Sequence, residues 1–89
     1  MAITLSAEVL EDDIAVFLAR ATAAANKRAG ELGIDVLQSI ITITQRAVNG
    51  DVFWRINYGP KDFVGRRGGD LIIEVNQQTA DIHQVLRGQ

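Results

Sequence analysis

The chain of 89 residues has no cysteine, one proline, one histidine, one tryptophan and one tyrosine. Without cysteine it has no disulfide framework, thiol nucleophile or thiolate metal site, so its fold must rest on packing. His83, the single histidine, lies in a strand-like stretch with no second histidine and no suitably spaced carboxylate, which fits a solvated strand position better than a metal or acid–base site. No apolar run approaches the ~20 residues of a membrane span, and "MAITLSAEVLEDD" turns acidic with no basic stretch before it. The expectation is a cytoplasmic protein without membrane contact. Positive charge is also scarce: the net charge is −2, with −3 carried by residues 1–38 and +1 by the remainder. A nucleic-acid partner would need a clearly basic face, so none is expected.

With 47% hydrophobic and 22% charged residues, the composition describes one globular domain spanning 1–89. A chain this short buries only roughly 60–65% of its extended surface, which makes association with a partner a natural source of further stability.

Ser6 stands before Leu10, Ile14, Phe17, Leu18, Ala21 and Ala25, spaced by threes and fours. The spacing predicts an amphipathic helix with Ser6 as its N-cap, acids toward its start, Lys27 and Arg28 toward its end, and Gly33 as the C-terminal cap. The adjacent carboxylates Glu11, Asp12 and Asp13 point in different directions on a helix and suit its electrostatics rather than a metal. The many alanines give a slim cylinder able to lie close to a sheet.

Beyond Gly33 the pattern changes. "SIITITQR" is β-branched, Asn49-Gly50 is a hairpin turn signal, and "VFWRINY" alternates in period two. "DLIIEV" supplies a third strand, and "IHQVLR" a weaker fourth after the polar turn "NQQTAD". The order helix-strand-strand-strand-strand predicts an α+β fold, with one long N-terminal helix on one face of a three- to four-stranded antiparallel sheet. Ile41, Ile43, Val52, Trp54, Ile56, Leu71, Ile73 and Val75 form the expected core face. Thr42, Thr44, Phe53, Arg55, Asn57, Ile72 and Glu74 fall on the uncovered face.

Between the second and third strands, "GRRGGD" has the glycines of a phosphate loop but lacks its Lys-Ser/Thr ending and leads into a strand. A single Arg-Gly-Gly within a domain is also not a repeated nucleic-acid-binding tract. The segment is expected to be a hairpin connection. It carries Lys61, Arg66 and Arg67 for an anionic partner surface, while Phe63 and Val64 are expected to fold back onto the core edge, the alternative being an apolar contact to a partner.

The stretch "DLIIEVNQQTADIHQVLRGQ", with Thr79 and Ile82 matching the turn pattern and Asn76 and Ala80 standing at its Asp and Gly positions, resembles the closing hairpin of small PepSY-like domains and NTF2-fold immunity-type proteins. Gly68-Gly69 and "VFWRINY" extend the resemblance over residues 51–89. It implies a cystatin-like helix on a curved antiparallel sheet, and a role in binding or inhibiting another protein.

These observations define the expected function: a small non-catalytic protein-binding module, inhibitory or immunity-like in its most concrete form. Its contact residues are Phe53, Arg55, Ile72, Lys61, Arg66 and Arg67, with Phe53 and Ile72 at the centre of a contact to a protein partner or a second copy. No catalytic residue, metal or cofactor is assigned. The alternative is an NTF2-like small-molecule-binding or enzymatic domain with a pocket between helix and sheet near Trp54 and Tyr58.

Overall fold

A computed structural model describes residues 11–61 and 70–87. Helix α1 (Asp13–Glu31) leads through one 3₁₀ turn (Val36–Gln38) into strands β1 (Ser39–Val48), β2 (Asp51–Pro60), β3 (Leu71–Asn76) and β4 (Ile82–Arg87). The strands form one antiparallel sheet in the order β1-β2-β3-β4, with α1 on one face, as the α+β reading expects.

The helical stretch is interrupted at Asp12, where the apolar spacing suggests continuity. Asp12 has extended backbone (φ −89°, ψ 110°), and its carboxylate accepts the Ala15 N–H at 3.0 Å, making Asp12 the N-cap. A short carboxylate side chain competes for backbone donors and so favours a cap over a helix interior. A helix running unbroken from Ser6 is therefore corrected at Asp12; Ser6 and Leu10 lie outside the described residues. The other end follows the expectation. Gly33 has φ +89° and donates to Gly30 O, while the Ile34 N–H bonds Ala29 O, the paired bonds of a Schellman cap.

Ala21, Ala25 and Ala29 are each fully buried, one helical turn apart, against Trp54, Ile56, Tyr58, Leu71, Ile73 and Val75. The helix packs mainly on β3 and β2. All eight expected core residues share the helix side by register, but Ile41 on β1 remains 37% exposed because no helix reaches over it.

Both hairpin turns place a non-glycine residue at positive φ. Asn49 (φ 51°) and Gly50 (φ 87°) make the two-residue turn between β1 and β2, and this left-handed pair matches the right-handed strand twist. In the β3–β4 turn, Asn76 Oδ1 accepts the Gln78 and Thr79 N–H groups, Thr79 Oγ1 accepts the Asp81 N–H, and Ala80 is held at φ 63° by its N–H bond to Asn76 O.

Tyr58 is buried in the core, and its hydroxyl donates to Asn26 Oδ1 at 2.6 Å, tying sheet to helix. Desolvation by burial pushes its pKa up to about 12. The neutral phenol is the form the fold favours, so its contribution is complete below pH ~10 and is lost as pH rises through about 12, on the order of 2 kcal/mol. Since Tyr58 is the chain's single tyrosine, alkaline absorbance titration should give one tyrosinate transition near 12, accompanied by unfolding. A transition at the ordinary value in a still-folded protein would contradict the burial assigned here.

Ala80 supplies the second test. An alanine at positive φ costs roughly 1–2 kcal/mol that glycine avoids, while glycine is freer in the unfolded chain and here forfeits a methyl packed at the core edge. Ala80→Gly should raise unfolding free energy by about 0.5 kcal/mol in denaturant titration. A destabilisation of similar size would mean that the left-handed turn is absent in solution.

Candidate binding face on the open side of the sheet

The face turned away from α1 is built by alternation along each strand. Register brings Thr42, Thr44 and Arg46 of β1 beside Asn57, Arg55 and Phe53 of β2, which adjoin Ile72, Glu74 and Asn76 of β3. On β4 the register slips between Glu74 and Val75: Glu74 pairs with Gln84 and Val75 with Ile82, leaving His83 as an extra residue. This β-bulge turns two consecutive side chains toward the open face. Gln84 hydrogen-bonds Glu74, and His83 stacks on Phe53 with ring centroids 4.5 Å apart.

Glu74 is the centre of this face. Although no helix covers it, it is fully buried, because longer side chains from three neighbouring strands close over it. Its Oε1 accepts Gln84 Nε2 at 3.1 Å and Arg46 Nη2 at 3.4 Å. Its Oε2 lies 3.3 Å from Arg46 Nε and 3.8 Å from Arg55 Nη1. Two guanidinium groups thus serve one carboxylate and leave one positive charge in excess. Both arginines remain partly open to solvent, Arg46 at 45% and Arg55 at 35% of the side chain. Arg46 is hydrogen-bonded to Glu74, Arg55 approaches it more loosely, and both keep donors on their outer edges.

Beside this cluster, at the Asn49-Gly50 end of the sheet, Arg46, Val48, Asn49, Asp51, Phe53 and His83 line a shallow recess of about 190 Å³. That is below the roughly 300–1,000 Å³ of small-molecule pockets and matches a single inserted side chain. At the opposite end, Asn57 Nδ2 donates to Asp70 Oδ2 at 2.7 Å, and Asp70 lies over Gly59, where an added Cβ would meet its carboxylate at 3.3–3.4 Å.

The expected contact residues fare differently. Arg55 and Ile72 lie on the open face and are partly exposed. Phe53 lies there too, but it is only 7% exposed because His83 covers it, so it supports the face from beneath. Lys61 is exposed at the end of β2, and its ammonium donates to Leu37 O at 3.0 Å. Arg66 and Arg67, with Phe63 and Val64, lie outside the described residues. Arg46, Gln84 and His83 were not among the expected contacts. Arg46 and Gln84 were legible, as the continuation of the Thr42, Thr44 alternation and as the alternate of Leu86; His83 was not, since only the bulge brings it to this side.

Trp54 and Tyr58, around which a small-molecule pocket was the alternative expectation, are both core residues. Among the described residues no group of three or more His, Asp or Glu side chains could hold a metal ion, and no helix is long and apolar enough to cross a membrane. The chain matches no known family model, characterised protein or solved structure.

A fully buried carboxylate depends on its cations far more than an exposed one does. Arg46→Ala should cost about 1–3 kcal/mol of unfolding free energy, the lower end applying if water reaches Glu74 through the opening. Arg28→Ala, which removes the exposed Arg28–Glu31 pair at 3.4 Å, should stay within about 0.5 kcal/mol. Equal effects in chemical denaturation would show that Glu74 is solvated.

Proposed function

We propose that this protein is a small protein-binding module that uses the open sheet face to recognise an acidic partner surface. The observation that carries this reading is the Arg46–Glu74–Arg55 cluster, in which two half-exposed guanidinium groups are fixed by one buried carboxylate. Pre-set planar donors lose little freedom on meeting a carboxylate, and the neighbouring recess accommodates one side chain of the partner. An inhibitory or immunity-like role, implied by the resemblance of residues 51–89 to small PepSY-like and NTF2-fold immunity-type proteins, is the most concrete form of the proposal. Lys61, Arg66 and Arg67 extend the same basic character along the connection between β2 and β3.

The test is capture of binding partners on immobilised wild type and on Arg55→Gln, across a salt series. Arg55 is the more peripheral of the two arginines, at 3.8 Å from Glu74, so its replacement spares the Arg46 contacts. A partner that uses this face should bind Arg55→Gln at least about tenfold more weakly, and should be released as salt rises. A partner held equally by both proteins and indifferent to salt would rule the face out.

A further inference from the structure

The two edges of the sheet are unequal. Strand β4 has six residues and is interrupted by the bulge at His83, a feature that disrupts pairing with any further strand. Strand β1 has ten residues in unbroken register with β2, and among the described residues no strand pairs with its outer side. It contains no proline, glycine or lysine, and its single charge, Arg46, is directed at Glu74. Of the six exposed large hydrophobic residues among those described, Ile40, Ile41 and Val48 belong to β1, and Leu37 lies just before it at 83% exposure.

The turn fixes which backbone groups are available. Val48 and Asp51 flank the two-residue Asn49-Gly50 turn and form its closing hydrogen-bonded pair. By alternation the even-numbered residues of β1 bond to β2, and Ser39, Ile41, Ile43, Gln45 and Ala47 point their N–H and C=O groups outward.

We propose that β1 pairs with β1 of a second copy, antiparallel about a two-fold axis at Thr44, to give a continuous eight-stranded sheet. A second copy is the occupant that the sequence of the edge selects. With Thr44 facing its own counterpart, exposed Ile40 meets exposed Val48 of the other copy on the open face, and each Arg46 faces a threonine rather than another arginine. On the helix side Ile43 meets Gln45 and Ile41 meets Ala47, so the bare strip beside each α1 becomes a shared apolar seam. Nearly the whole strand is used, and no like charges are opposed. This edge adjoins the Arg46–Arg55 face and shares Arg46 and Val48 with it, so the two are told apart through Ile41, which belongs to the edge, and Arg55, which belongs to the face.

Sedimentation equilibrium of the purified protein should show a monomer–dimer equilibrium. Ile41→Lys, a charge at a position already partly exposed, should weaken it at least about tenfold, as edge lysines do in natural sheets. Arg55→Gln should leave it unchanged. The cysteine-free chain permits a second measurement that does not depend on destabilising the edge. Residues facing each other across the axis form a non-hydrogen-bonded pair with Cβ atoms near disulfide range. Thr44→Cys should therefore oxidise to a covalent dimer, whereas Thr42→Cys, set away from its own counterpart, should not. A monomer at every concentration, a dimer abolished by Arg55→Gln but untouched by Ile41→Lys, or cross-linking at Thr42 in place of Thr44 would each overturn the proposal.

Discussion

Ala21, Ala25 and Ala29 make the contact on which the rest of the structure depends. Being small and one turn apart, they let the helix backbone settle close against Ile56, Ile73 and Val75, with no bulky side chain to widen the seam. The geometry has a cost in coverage. Four strands at a spacing of about 4.8 Å make a sheet wider than the ~10 Å of one helix, and a helix faced with alanine spreads less than most. Seated over β2 and β3, α1 leaves the β1 side of the same face only partly covered. The exposure of Ile41 follows from the choice of alanine at three positions in another element.

The opposite face solves a related problem by different means. With no helix on that side, the central strand β3 would present its side chains to water, yet Glu74 is as buried as the core isoleucines. Arg46, Arg55 and Gln84 provide the cover, their aliphatic stems lying over the sheet and their polar ends meeting the carboxylate. A buried carboxylate is costly to desolvate, and two cations with an amide offset that cost without adding a layer of protein. The same arrangement gathers both guanidinium groups around one carboxylate. The residues that cover Glu74 are therefore the same ones that give the open face its charge.

Much of this was legible in the sequence wherever a signal was local. Asn49-Gly50 announced its hairpin because few residues besides glycine and asparagine tolerate the left-handed region, and period-two alternation assigned both faces of β2 and β3 correctly. Gly33 marked the helix end for the same conformational reason. What escaped depended on residues distant in the chain or on a slip in pairing. The burial of Glu74 comes from Arg46, twenty-eight residues earlier, and Gln84, ten residues later. The covering of Phe53 by His83 requires a bulge, and a bulge leaves no trace in hydrophobic periodicity because it shifts the phase within a single strand. The break at Asp12 escaped because apolar spacing runs across it, whereas the backbone there obeys the capping preference of the carboxylate.

The bulge also links the open face to the edge of the sheet. By bringing His83 to the open side next to Gln84, it covers Phe53 beside the Glu74 cluster that Gln84 completes. The same irregularity breaks the hydrogen-bonding row of β4, so the strand that finishes the open face cannot readily extend the sheet. Strand β1 carries no such break: its regularity supports ten paired residues with β2 and leaves its outer row of donors and acceptors equally regular. In a four-stranded sheet with a single narrow helix, the irregular edge is thus committed to the surface chemistry of the open face, and the regular edge is the one suited to further pairing.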